Sequence, residues 1–162
     1  MPEFLTINIR CHGVDGTDAV AKAIASNLSA GDVVLLQGGL ATGKTTFVKG
    51  FVSALESSEV VTSPTFMLAQ FYRTGRGQVL HIDAYRLDSI HEFRDLGLES
   101  DIESSITLIE WGDKVAEDFP CALTIEFLHD PSAPDLRVLI ISANCDRMAD
   151  VVDALSASAG IV

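Results

Sequence analysis

Apolar and polar positions change period several times along this chain, and each change marks an element. "FLTINIR", Phe4 to Arg10, alternates as a half-buried strand does. In "GTDAVAKAIASNL" the residues Val20, Ala23, Ile24 and Leu28 recur at helical spacing, which predicts a helix capped at Thr17 or Asp18, with Gly31 restarting the chain. The continuous apolar run "DVVLLQ", Asp32 to Gln37, is expected of a strand covered on both faces. "TTFVKGFVSALES" returns to helical spacing, with Phe47, Phe51, Val52 and Leu55 directed inward. Further strands are expected at "TFMLAQFY", "QVLHID", "ITLIEW", "ALTIEFL" and "LRVLIIS", with helices near Ser89 to Leu96 and Arg147 to Ser156. Strands alternating with helices predict an α/β layer structure, and the last two strands, joined by "HDPSAPD", read as a hairpin. The expected architecture is a single domain over residues 1–162 with a mixed, mostly parallel central sheet flanked by helices.

Composition narrows the partners. Of 162 residues, 48% are hydrophobic, enough for one buried core, and 23 acidic against 11 basic side chains leave a formal net charge of -12. Such a surface repels phosphate backbones and anionic lipid, so direct tRNA or DNA binding by the isolated chain is not expected. No apolar run reaches the roughly 20 residues of a membrane span, and Met1 to Arg10 lacks the pattern of a signal peptide, so a cytoplasmic protein is expected. Cys11, Cys121 and Cys145 are odd in number, widely spaced and without a CxxC pair, which predicts buried thiols in a reducing compartment.

Chemistry enters between the second strand and the second helix. Gly38, Gly39, Leu40, Ala41, Thr42, Gly43, Lys44 and Thr45 fit the phosphate-loop pattern G-x-x-x-x-G-K-[ST], and Thr46 follows on the helix. The pattern is short, but here it follows an apolar strand and opens a helix. That context brings loop N–H groups, unpaired helix-terminal amides and the helix dipole onto phosphate oxygens. Lys44 is then expected to reach β- and γ-phosphates, and the Thr45 hydroxyl a Mg²⁺ that bridges them. The fold class becomes that of a P-loop NTPase. Two carboxylates stand at the carboxyl ends of apolar strands, Asp83 in "VLHIDAYR" and Glu110 in "ITLIEW". In an open α/β sheet that edge is where ligands bind, so either can serve as metal ligand or orient water, or be an ordinary acidic strand end.

These motifs together closely resemble the TsaE family of ATPases in bacterial tRNA threonylcarbamoyladenosine synthesis. The resemblance rests on "GGLATGKTTF", "VTSPTFML", "HIDAYRL", "LGL" at Leu96 to Leu98, and "IEW" at Ile109 to Trp111, in family order and spacing. It implies a small P-loop ATPase, which acts with ATP and Mg²⁺ on a complex of TsaB and TsaD; because no arginine cluster is visible in the sequence to neutralise transition-state charge, hydrolysis by the isolated chain is expected to be slow and speeded by partners. It further implies Thr45 and Glu110 on the metal, Asp83 in the catalytic region and available to the metal, and Trp111 beside the nucleotide. Ser63-Pro64-Thr65 and His81 to Arg86 would form two mobile segments. Three positions depart from the family pattern: Gly39 stands for an acidic residue, Ala41 for a glycine and Gly112 for a proline.

Several residues carry two readings. Trp111 serves equally as core or as nucleotide neighbour, Tyr85 and Phe66 read as core, and Arg86 reads as an arginine finger in cis or the partner of a local carboxylate. Two other functions compete with ATP hydrolysis. A small-molecule kinase would use the same loop but needs arginines around the transferred phosphate, and only seven arginines occur in the chain. A nucleotide-dependent switch without hydrolysis is the other, though no N-K-x-D guanine signature is present to make it a GTP switch.

Overall fold

The computed structural model describes residues 5–39, 42–57, 59–61 and 68–158. In chain order the elements are β1 (Thr6–His12), α1 (Gly13–Ala25), β2 (Val33–Gln37), α2 (Lys44–Ala54), β3 (Ala69–Thr74), β4 (Gly77–Asp83), α3 (Ile90–Asp95), α4 (Glu99–Ser104), β5 (Ser105–Glu110), β6 (Leu123–His129), β7 (Leu136–Ala143) and α5 (Asp146–Ala157). Two short 3-10 turns, Gly112–Lys114 and Ala116–Asp118, link β5 to β6. The strands form one sheet in the order β1-β7-β6-β2-β5-β4-β3.

Parallel ladders join β6 to β2, β2 to β5 and β5 to β4, while β3 and β7 pair antiparallel to their neighbours. Because β1 is antiparallel to β7, it runs the same way as β6, β2, β5 and β4. The fold is thus α/β with a mixed, mostly parallel sheet. The carboxyl ends of five co-directional strands lie along one edge.

The apolar run of β2 shows why the sheet takes helices on both faces. Val34 and Leu36 join a core with Val20 and Ile24 of α1, Phe47 and Phe51 of α2, and Val151 and Leu155 of α5. Val33 and Leu35 face the other way, onto a smaller core with Phe93 of α3, Ile102 of α4 and Val115 between the turns. A strand sealed on both sides has no polar face to present, hence a run instead of alternation. The edge strand β1, by contrast, alternates in burial.

The structure departs from the sequence-based expectations in four places. Helix α1 starts at Gly13 behind His12, not at Thr17 or Asp18, and Thr17 is buried within it. Gly13 adopts φ 68°, which turns β1 directly into the helix, and its N–H donates to the Asp135 carbonyl at 2.8 Å. Helix α4 was not legible in sequence, because six residues with one buried apolar side chain, Ile102, show no period. Of the expected strand "TFMLAQFY", Thr65 to Met67 lie outside the described residues, and β3 begins at Ala69.

The fourth departure concerns the cysteines. Cys121 and Cys145 form a disulfide with Cα atoms 5.3 Å apart, which corrects the expectation of three thiols; Cys11 alone is free and buried. The cause is tertiary. Leu123 pairs with Ala143 in the β6–β7 ladder, so the antiparallel register carries the two cysteines beyond them into contact. Among the described residues no helix is long and apolar enough to cross a membrane.

Gly112 has a packing reason. It is buried where the chain leaves β5 across β2, and a Cβ there would lie 2.6 Å from Leu35 Cβ and 2.9 Å from Leu35 Cα. A proline ring would meet the same strand. Gly112→Ala should therefore destabilise the fold by about 1–3 kcal/mol through overpacking, read as a shifted denaturation midpoint at constant m-value. An unchanged midpoint would contradict this.

Candidate functional site

The loop from β2 to α2 lies at the carboxyl edge, and two of its glycines, Gly38 and Gly43, are conformationally required. Gly43, at the cap of α2, has φ 104°. Gly38 has φ 139°, and a Cβ there would come 2.7 Å from the Phe127 carbonyl oxygen. Gly39 has room for a side chain: the nearest atom to an added Cβ is Thr42 Cγ2 at 3.9 Å. Its departure from the family pattern thus removes a carboxylate without relieving any crowding. Leu40 and Ala41 lie outside the described residues, as do Ser63, Pro64, Thr65 and Phe66.

Lys44 is buried at the head of α2. Its Nζ donates to the carbonyls of Gly38 and Gly39, each at 2.7 Å, and stands 4.3 Å from the centroid of the Trp111 ring. The Thr42 hydroxyl donates to the Gly39 carbonyl at 2.8 Å, closing the loop on itself. Burial lowers the Lys44 ammonium below its ordinary value, against the opposing pull of Glu110, Asp83 and Asp113. Thr45, one residue on, directs Oγ1 to Glu110 Oε1 at 3.2 Å.

Both strand-end carboxylates face the same region. Asp83 and Glu110 are direct neighbours across the parallel β4–β5 ladder, and Leu36 neighbours Glu110 on the other side. Asp83 Oδ1 accepts the Tyr85 N–H at 2.9 Å. Burial pushes the Asp83 carboxyl above its ordinary value; that N–H pulls it down, and Glu110 pushes it further up. The edge therefore gathers an ammonium of the kind that meets phosphate oxygens, and a hydroxyl and two buried carboxylates, the oxygen ligands a divalent cation takes.

Trp111 follows Glu110 in the left-handed region, φ 59° and ψ 39°. That conformation costs a non-glycine residue about 1–2 kcal/mol, and the indole both packs against the smaller core and meets Lys44. Tyr85 stacks on it at 5.1 Å between centroids and is 47% exposed, which corrects its expected place in the core. Lys114 Nζ donates to the Tyr85 and Leu87 carbonyls and tethers this turn. Arg86 is exposed on the same turn.

Two clefts flank the loop. One of about 310 Å³ is lined by Gln37, Gly38, Gly39, Trp111, Asp113 and Glu126. The other, about 150 Å³, lies beside Thr46 and Gly43, between Gly13 and Thr17 of α1 and Asp135 and Arg137 of the β6–β7 hairpin.

With this geometry in place, comparison with known proteins becomes informative. The profile of the family described as "Threonylcarbamoyl adenosine biosynthesis protein TsaE" matches residues 11–136. The chain belongs to the TsaE family. It is 46% identical over 94 residues to the tRNA threonylcarbamoyladenosine biosynthesis protein TsaE of Treponema pallidum, covering 57% of this chain and 69% of that protein. With the protein of the same name from Streptomyces coelicolor it shares 39% identity over 136 residues, 80% of this chain and 92% of the relative. The crystal structure of Bacillus subtilis YdiB superposes with a TM-score of 0.79 at 28% identity, covering 96% of this chain and 97% of that one. This TsaE chain thus has a role in tRNA threonylcarbamoyladenosine biosynthesis.

The most important residue missed by sequence reasoning about this TsaE site is His81. In the sequence it marks only the start of a segment, yet its Nε2 lies 2.6 Å from Glu110 Oε2. A signal was present: His81 precedes Asp83 by two residues, and residues two apart on a strand share a face.

The raised Asp83 carboxyl has a pH consequence. A carboxyl whose folded value lies above its unfolded value contributes stability below the unfolded value and loses it as pH rises through the folded one. Asp83→Asn, which keeps the Oδ1 acceptor, should raise the unfolding temperature of the nucleotide-free protein at pH 7, with the gain fading as pH falls through the raised folded value and gone below about pH 4. A gain independent of pH would show that ionisation is not its cause.

Proposed function

We propose that this chain binds and hydrolyses ATP and that its nucleotide state acts on a TsaB–TsaD complex during synthesis of threonylcarbamoyladenosine at position 37 of tRNA. One observation carries the reading: the Thr45 hydroxyl at the head of α2 meets the Glu110 carboxylate at the end of β5, at 3.2 Å. A phosphate loop thereby shares its hydroxyl with a strand-end acid, as a nucleotide-bound Mg²⁺ requires. When bound, that Mg²⁺ would neutralise charge on the β- and γ-phosphates and orient them.

Gly38, Gly39, Leu40, Ala41, Thr42 and Gly43 would wrap the phosphates with backbone N–H groups, aided by the α2 N-terminus. Lys44 would exchange the Gly38 and Gly39 carbonyls for β- and γ-phosphate oxygens. Thr45 and Glu110 would ligate Mg²⁺, and Asp83 would join them or hold the attacking water. Thr46 would lie against the α-phosphate, with the cleft between α1 and the hairpin taking the nucleoside. Trp111 would cover the phosphate end, excluding water from the Lys44 contact.

The kinase alternative finds little support, because the cleft beside Trp111 offers Asp113 and Glu126 and, among the described residues, no arginine. The net charge of -12 favours protein partners over direct tRNA contact. A role in tRNA modification favours the cytoplasm as the place where the chain acts.

Lys44→Ala should weaken ATP binding by about 10- to 100-fold, the value of a charge-assisted contact. Unchanged affinity by calorimetry would defeat the phosphate assignment. Glu110→Ala should lower partner-stimulated turnover by about two orders of magnitude, some 2.7 kcal/mol, with a smaller loss in binding. Asp83→Ala should act alike, and the double variant should lose far less than the sum, since groups serving one metal and one water are not independent. Full turnover in either single variant would reduce that carboxylate to an ordinary strand end.

A further inference from the structure

His81 lies within the sheet at 0% exposure, on the β4 face that carries Asp83. Its register partner is Leu108, two residues before Glu110 on β5, so the imidazole lies diagonally beneath the Glu110 carboxylate. The Nε2–Oε2 distance is 2.6 Å. Against a carboxylate, which only accepts, Nε2 of His81 is the donor of this bond. The other carboxylate oxygen, Oε1, is the one nearer the Thr45 hydroxyl.

This contact constrains a torsion that is otherwise soft. The terminal torsion of a glutamate is broad and roughly two-fold, so an unheld carboxylate samples many orientations. A short charge-assisted bond to one oxygen removes that freedom and fixes where the second oxygen points. The ring cannot swing away, because it is enclosed in the sheet and the Tyr72 ring lies alongside it, 6.4 Å between centroids.

A purely structural histidine would be a poor choice here. Its Nδ1 is buried and has no hydrogen-bond partner among the described residues. Leaving such an acceptor dry costs about 1–3 kcal/mol, a cost that a leucine at the same position would avoid. The Glu110 contact is the feature of His81 that a leucine cannot reproduce.

We propose that His81 is a positioning residue for the divalent cation of the bound nucleotide, acting through Glu110: it holds Oε2 so that Oε1 and the Thr45 hydroxyl face the metal together. The inference rests on the ATP-site reading above and adds to it the residue that sets the orientation of Glu110.

Mn²⁺ titration followed by electron paramagnetic resonance in the presence of ADP tests it, with ADP affinity in EDTA measured in parallel. His81→Leu should weaken Mn²⁺ binding by about 10- to 100-fold, as loss of a carboxylate's outer partner does, while ADP affinity in EDTA stays within about twofold. His81→Gln carries an amide donor at the same number of bonds from Cα as Nε2, and should recover most of the loss. Thermal unfolding by circular dichroism confirms that both variants are folded; if His81→Leu is not, His81→Gln alone should retain near-native Mn²⁺ affinity.

The inference is overturned if folded His81→Leu binds Mn²⁺ like the native protein, or if His81→Gln loses as much as His81→Leu. An equal loss of metal-free ADP binding would also overturn it, because the role would then be structural. A native protein that binds ADP but no Mn²⁺ would sink the metal reading and this inference with it, whereas native binding with an unaffected His81→Leu would sink this inference alone.

Discussion

The register of β5 between β2 and β4 is the constraint on which the site depends. Glu110 is paired with Leu36 on one side and with Asp83 on the other; Glu110 and Asp83 end their strands and Leu36 is one residue from the end of its own. Two residues beyond Leu36 the chain enters the loop that leads to Lys44 and Thr45 of α2. A slip of one residue in either ladder would turn Glu110 or Asp83 to the opposite face of the sheet and away from α2. The apolar runs on both sides of β5 oppose such a slip, because each of its side chains is buried.

The same region concentrates buried charge. His81, Asp83, Lys44 and Glu110 are all buried, at the end of a sheet whose central strands are otherwise mostly aliphatic. Their contacts are local and partial: Lys44 binds loop carbonyls, Glu110 is shared between His81 and Thr45, and Asp83 holds one backbone amide. Desolvation moves Lys44 and Asp83 toward their neutral forms. A fold selected for stability alone would replace such a cluster with apolar side chains of similar volume. Its presence at a strand edge beside a phosphate loop is what a site for an anion and a cation together requires.

The turn after Glu110 shows how packing and chemistry share a few residues. Gly112 lets the backbone cross β2 in contact with Leu35, and that crossing leaves Trp111 in a left-handed conformation. The indole then covers Lys44 and meets the tilted ring of Tyr85. Neither aromatic ring belongs wholly to the core.

The sequence by itself determined the strands, the main helices, the phosphate loop and the two strand-end acids, because each is written in local spacing: a period of two, a period near 3.6, a glycine pattern, or an apolar run closed by a carboxylate. It did not contain the pairing of β1 with β7, the contact between Cys121 and Cys145, or the bond from His81 to Glu110. Those join residues separated by 136, 24 and 29 positions, and only the closed sheet places them together. Short and exposed features escaped as well. Helix α4 has too few turns to show a period, and the outward Tyr85 follows from stacking on Trp111, not from its residue type. Local chemistry is carried by neighbouring residues along the chain; the orientation of Glu110 is carried by neighbours across the sheet, and only tertiary structure supplies those.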